Sequence, residues 1–314
     1  MDKFHPVDMS VWQGRQDPED GELALRWHDK VQPWPQASSA AAGVALVGFA
    51  CDEGVRRNKG RVGAAGAPLA VRKLLANSAW HLSRPIYDSG DVHCEDGDLD
   101  AAHGLLAERV ARLLDEGHFP LVLGGGHEVA FGSWSGLNLH LAGRGRVGII
   151  NFDAHFDLRM KLEQASSGTP FFQIAEQCAA QGTPFTYACL GVAETANTQA
   201  LFARAEALGV WHVLDEAMTP AELPALLSGL DAFIARCDHL YLTIDLDVLP
   251  AAVMPGVSAP AARGVELAVI EPLIAHIRAS GKLRLADLAE YNPSLDQDNR
   301  SARVAARLVH QLTK

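Results

Sequence analysis

The chain has 314 residues, 48% hydrophobic and 21% charged, which is ample material for a large core. Its net charge of -11 argues against a nucleic-acid surface or an anionic membrane as partner. No apolar run approaches the ~20 residues of a bilayer span, and Met1 to Pro6 lacks the basic and apolar regions of a secretory signal. Five scattered cysteines (Cys51, Cys94, Cys178, Cys189 and Cys237) without C-x-x-C spacing fit reduced thiols, so a soluble cytoplasmic protein is expected.

Residues 1–40 carry Trp12, Trp27, Trp34 and the prolines Pro18, Pro33 and Pro35 in no regular pattern. They are expected to form an arm packed by its aromatics onto a single domain spanning 41–314. The first strand falls at 45–49, followed by a glycine-containing basic loop (Arg56, Arg57, Lys59, Arg61) and a helix from near Pro68. Asp98 to Glu116 reads as an amphipathic helix with Leu105, Leu106, Val110, Leu113 and Leu114 on one face. A strand at 120–123 breaks into Gly124-Gly125-Gly126 and His127, and a helix follows. Further strands at 147–152, 185–190, 210–214, 240–244 and 283–289 alternate with helical segments, and a helix at 301–312 closes the chain. That alternation predicts an α/β fold with a mostly parallel sheet covered on both faces, and ligands beyond the carboxyl ends of its strands.

Three of those strand ends carry the same chemistry. Asp153-Ala154-His155-Phe156-Asp157 follows one, Asp245-Leu246-Asp247 another, and His127 a third. Side chains alternate along a strand, so Asp153, His155 and Asp157 should share one side, as should Asp245 with Asp247. Taken singly, an Asp at a strand end is by default a turn former or a helix cap, and a His after glycines is an ordinary loop residue. Taken together, four carboxylates and two imidazoles make a hard set without thiolate whose charge balances two divalent cations. One binuclear centre is therefore expected, of the kind that activates water for hydrolysis at carbon or phosphorus. These ligand types suit Mn²⁺ and leave Zn²⁺, Fe²⁺ and Co²⁺ open. A dinucleotide loop is excluded, because His127, Glu128 and Val129 stand where Gly-x-Gly-x-x-Gly needs its last glycine. Glu290, ending the last strand, could bind an amidinium or guanidinium group, or simply precede a turn at Asn292-Pro293. Arg159, just past Asp157, could hold a substrate carboxylate or be a solvated loop arginine.

The motifs Gly-Gly-x-His, Asp-Ala-His-x-Asp and Asp-x-Asp, in this order, resemble those of the ureohydrolase (arginase/agmatinase) superfamily over most of the chain. The resemblance implies a three-layer α/β/α fold with a mostly parallel central sheet. It also implies two Mn²⁺ per subunit held by His127, Asp153, His155, Asp157, Asp245 and Asp247, with Asp153 and Asp245 bridging. Asp157 would then carry the transferred proton, and Glu290 would hold the guanidinium-like group. The segments Trp12-Gln13-Gly14-Arg15, Arg57 to Ala64, Ser166 to Phe171 and Pro255 to Pro260 resemble one branch in particular. That branch splits N-formimidoyl-L-glutamate into L-glutamate and formamide, a step of histidine degradation.

Departures from the arginase pattern point the same way. Gly126 replaces an Asp before the ligand histidine, Glu128 replaces a Ser after it, Ser166 to Pro170 lacks the proton-shuttling histidine, and Arg159 replaces an uncharged amide. A substrate with two carboxylates is implied, with Arg159, Arg57, Asn58 and Glu290 as its binding residues. Urea-releasing relatives (guanidino-acid hydrolase, agmatinase, arginase) and a metal-stabilised binding protein remain alternatives at this point, and a homo-oligomer is allowed.

Overall fold

Consecutive apolar residues such as Val44–Ala50 and Val147–Phe152 can be buried along their whole length only in a sheet covered on both faces. A computed structural model of the chain, describing residues 3–34 and 41–314, places them in such a sheet; Pro35 of the expected arm lies outside the described residues. Its ten strands are β1 (Phe4–His5), β2 (Gln32–Pro33), β3 (Val44–Ala50), β4 (Ile86–His93), β5 (Phe119–Leu123), β6 (Val147–Phe152), β7 (Thr186–Val192), β8 (Trp211–Leu214), β9 (His239–Asp245) and β10 (Leu283–Ala289). Their order is β1-β4-β3-β5-β10-β9-β6-β7-β8, with β2 also beside β4; β1 is antiparallel to its neighbour and the other pairings are parallel.

Alternation along each strand feeds two cores. Leu46, Leu121, Ile150 and Leu242 enter one, and Val47, Val122, Ile149 and Tyr241 the other. Each such buried side chain stabilises the fold by roughly 1.5–3 kcal/mol. Helices Ala67–Ala76, Leu267–Ala279 and Arg300–Thr313 close the first core through Val71, Leu273 and Leu308. Helices Leu99–Asp115 and Val129–Leu141 close the second through Leu106, Val110 and Leu137. Asp98 caps the first of these by accepting the Ala101 N–H at 3.1 Å. The result is the three-layer α/β/α arrangement expected.

The sequence reading passes over β4, for a physical reason. Its run Ile86-Tyr87-Asp88-Ser89-Gly90-Asp91 is not apolar, yet Asp88 is fully buried. Arg72 holds it with two bonds (Nε–Oδ2 2.7 Å, Nη2–Oδ1 2.9 Å) and reaches Asp91 at 2.6 Å, while the Trp12 indole donates to Asp88 Oδ2 at 2.9 Å. A carboxylate so paired is tolerated inside, and the strand loses its hydrophobic signature. The N-terminal segment is likewise less irregular than expected: β1 and β2 both pair with β4, and Trp12 and Trp27 stack at 6.5 Å within the first core. Among the described residues no helix is long and apolar enough to cross a membrane.

Five strands adjacent in space, β3, β5, β10, β9 and β6, run parallel, so the loops after Ala50, Leu123, Ala289, Asp245 and Phe152 converge on one edge.

Candidate metal centre

Strand alternation does not align the acidic motifs. β6 stops at Phe152 and β9 at Asp245, and the residues beyond them turn. In both turns the leading aspartate bends the chain itself: Asp153 Oδ1 accepts the His155 N–H at 2.7 Å, and Asp245 Oδ1 accepts the Asp247 N–H at 2.9 Å. Each Asp is thus a turn former through one oxygen and free to act as a ligand through the other. Asp157 reaches the cluster at φ +47°, a left-handed conformation unusual for a non-glycine residue. Asn197 fixes this turn, accepting from Phe156 N at 3.0 Å and donating to Ala154 O at 2.9 Å.

His127 arrives by a different device. Gly126 N–H bonds the Cys51 carbonyl at 3.0 Å at the end of β3, and Glu290 N–H bonds Gly125 O at 2.8 Å at the end of β10. A Cβ on Gly125 would stand 1.7 Å from Cys51 O, so only glycine allows the chain through this gap. Beyond it His127 is 1% exposed, its ring edge against Phe171 at 5.4 Å between centroids. Nε2 lies 3.0 Å from Thr243 Oγ1, and the fully buried Asp287 on the neighbouring strand accepts the Tyr241 hydroxyl at 2.5 Å. With Nε2 bonded to Thr243, Nδ1 is turned toward the site.

There Nδ1 stands 3.1 Å from Asp153 Oδ2, 2.9 Å from Asp157 Oδ2 and 3.1 Å from Asp245 Oδ2, yet among the described residues it meets no hydrogen-bond geometry. His155 Nδ1 stands 3.1 Å from Asp247 Oδ2 and 3.5 Å from Asp153 Oδ1, and Asp247 Oδ1 is buried without a partner among the described residues. Two ligand clusters result, His127-Asp153-Asp157-Asp245 and Asp153-His155-Asp247, with Asp153 in both. Asp245 belongs to the first alone. Edges near 3 Å match an octahedron with bonds of roughly 2.1 Å. Hard nitrogen and oxygen atoms converging at these spacings suit divalent cations.

The electrostatics agree. Burial raises the carboxyls of Asp245, Asp157 and Glu290, the last to about 8, with neighbouring acids adding to each. Burial opposes charge on His127 too, but the three facing carboxylates raise it well above its ordinary range, and Asp247 does the same for His155. Asp153 alone is held low; burial is outweighed there by the two imidazoles. Without cations the cluster retains protons, and metal binding has to release them.

A cavity of about 430 Å³ opens above the clusters. Glu290 lines it at φ +67°, one oxygen accepting the His127 N–H at 2.9 Å. Arg159 and Asn58 also line it; Arg159 Nε and Asn58 Nδ2 each come within 3.3 Å of where a Cβ on Gly168 would sit. Arg57 does not join them. Its guanidinium is bonded to Glu53 (2.8 Å), Ala165 O (3.1 Å) and Gly97 O (2.7 Å), so it secures the loop. Thr243, Asp287 and Asn197 escape the sequence reading. Asp287 alone left a signal, a charge inside the apolar run Leu285-Ala286-Asp287-Leu288.

Residues 42–314 match the Arginase family, and the chain belongs to it. Its relatives sharpen this. It is 96% identical, over the whole of both chains, to a formimidoylglutamase of Aeromonas hydrophila, and 56% identical to that of Chromobacterium violaceum with 98% of each chain covered. Among solved structures, a Trypanosoma cruzi formiminoglutamase with Mn²⁺ is similar at 26% identity, with a TM-score of 0.79 over 89% of this chain and 95% of that one. A formimidoylglutamase of Bacillus subtilis shares the fold (TM-score 0.83, 23% identity, 96% and 93% covered).

Proposed function

We propose that the chain is a binuclear Mn²⁺ hydrolase that cleaves N-formimidoyl-L-glutamate to L-glutamate and formamide. The observation that carries the reading is Asp153, shared by two ligand clusters on the floor of a cavity whose walls bear Glu290 and Arg159. The names of its near-identical relatives supply the substrate class. Bound by His127, Asp153, Asp157, Asp245, His155 and Asp247, two Mn²⁺ would supply Lewis acidity and acidify water enough to attack near neutral pH.

The protein's own groups do the rest. Glu290, fixed by the His127 N–H, pairs with the substrate amidinium and keeps the formimidoyl carbon electrophilic and facing the floor. Arg159 and Asn58, side by side over Gly168 in the cavity wall, would receive the substrate's α-carboxylate, one carbon from the scissile nitrogen. Asp157, at the cavity side of the cluster, takes the proton released on attack and returns it to the departing glutamate nitrogen. Water adds across the C–N bond; formamide keeps the oxygen, and glutamate leaves as the amine. The reading extends to a cytoplasmic homo-oligomer, which size-exclusion chromatography with light scattering tests directly.

The experiment that decides substrate presents formimidoylglutamate, arginine, agmatine and guanidinobutyrate to Mn²⁺-loaded protein. Formamide from the first and no urea from the others is expected. Urea from a guanidino compound without formamide would overturn the assignment.

A further inference from the structure

The basic loop after β3 carries four cations, and their partners separate them. Arg56 and Arg57 both bond Glu53, and Arg57 two carbonyls besides. Arg61 is bonded through Nε to Ser258 O at 2.9 Å and through Nη2 to Val257 O at 2.7 Å. The Lys59 side chain has no hydrogen bond or ion pair to any described residue, and Lys59 lines the cavity above the metal ligands.

Its backbone marks it as well. Lys59 sits at φ +64°, a left-handed conformation that strains a residue with a Cβ and that glycine adopts freely. Lys59 N–H to Arg56 O (3.1 Å) and Gly60 N–H to Val55 O (2.8 Å) hold it there. The loop is tied to the metal floor by Gly54 N–H, which bonds Glu128 Oε1 at 2.8 Å beside His127. Six described non-glycine residues have positive φ, and three of them, Lys59, Asp157 and Glu290, line this one cavity. The last two already have parts in the chemistry. Strain kept on an unpaired cation at the same cavity calls for a ligand.

The substrate proposed above offers one. It has two carboxylates, and the cavity presents the acids Asp157, Asp245, Asp247 and Glu290 beside the cations Arg159, Lys59 and Arg61. Arg159 with Asn58 accounts for the α-carboxylate, and Arg61 is held by the Ser258 and Val257 carbonyls. That leaves Lys59 as the lining cation without a protein partner among the described residues for the side-chain carboxylate. We infer that Lys59 is the specificity-determining residue that recognises this second carboxylate, so that the enzyme selects a dicarboxylic amidine. The inference rests on the formimidoylglutamate reading. A lysine's long flexible stem and point charge suit a carboxylate at the end of a flexible chain better than a fixed fork would.

The test compares Mn²⁺-loaded wild type, Lys59→Gly and Lys59→Arg on N-formimidoyl-L-glutamate and N-formimidoyl-L-glutamine, which lacks only the second charge. Glycine suits φ +64°, so Lys59→Gly removes the cation without straining the loop, and a thermal melt no lower than wild type verifies this. The expected result is a glutamate-over-glutamine ratio of kcat/KM lowered roughly tenfold in Lys59→Gly, carried by KM, and largely restored in Lys59→Arg. An unchanged ratio, or equal losses on both substrates, overturns the role of Lys59. Wild-type protein that cleaves neither compound fails the functional reading itself, a separate outcome.

Discussion

The two halves of the metal cluster are built differently. The His127 half is set by the core: a ligand 1% exposed, wedged against Phe171, with Thr243 and Asp287 behind its far nitrogen. The His155 half is set by the cavity wall: a side chain 27% exposed whose Nδ1 faces Asp153 and Asp247, with no protein group bonded to Nε2 among the described residues. Buried ligands with fixed partners hold geometry, and a half-exposed ligand lets an ion exchange with solvent. On the proposed reading the first half is the anchor, and the second is expected to loosen first.

Asp153 is the one residue common to both, so its removal tests the division most severely. Asp153→Ala should bring Mn²⁺ per chain, by elemental analysis, from two toward zero and formamide release to background. A variant that keeps one tightly held ion would show that the halves fold independently and that Asp153 joins nothing. Next in size is Asp157, which belongs to the first cluster and also lines the cavity. Asp157→Asn should lower kcat by roughly 10²–10⁴-fold as the proton carrier is lost, with metal content reduced far less. A fall in activity that added Mn²⁺ restores in full would make Asp157 a ligand only.

The same contrast explains what could be read in advance. The strands of the central sheet announce themselves as apolar runs, and the ligands as acidic or imidazole groups immediately after them, because chemistry at a strand end is local in sequence. The alternation argument picks out residues that the structure brings together, but by the wrong geometry, since Asp153 and Asp245 bend the chain through side-chain turns. What stays hidden is whatever depends on a distant partner. β4 is disguised by Asp88 until Arg72 and Trp12 are seen against it, and Thr243 and Asp287 have no meaning before β9 lies beside β10 under His127. Arg57 and Lys59 show the converse: in sequence they are equivalent basic loop residues, and only their partners tell that Arg57 is engaged while Lys59 has none among the described residues.

A milder perturbation can sharpen the anchor. Thr243→Val removes the acceptor for His127 Nε2–H and strands that donor in the core. Mn²⁺ affinity, followed by calorimetric titration of metal-free protein, should weaken about 10- to 100-fold at one of two sites, with Thr243→Ser restoring it. Equal weakening of both sites would mean that the halves are not separately supported.

Acidity distinguishes the halves with the smallest intervention. In metal-free protein His127, His155, Asp157, Asp245 and Glu290 all hold protons more tightly folded than unfolded. The folded state then binds more protons, so their stabilisation is complete below the ordinary pKa of each group and is lost as pH rises through the raised value, near 8 for Glu290. Asp153 runs opposite, its stabilisation present above the ordinary carboxylate range and lost only in stronger acid. Manganese reverses the balance because it must displace those protons: the metal-free melting temperature should fall between pH 6 and 9, while the gain on adding Mn²⁺, about 4 kcal/mol at a thousandfold excess over Kd, should grow. On stepping the holoenzyme down in pH, the half-exposed His155 side should release its ion first, leaving one Mn²⁺ per chain over an intermediate range. Simultaneous loss of both ions would mean that Asp153 couples the two subsites so tightly that the difference in burial between His127 and His155 has no consequence for metal exchange.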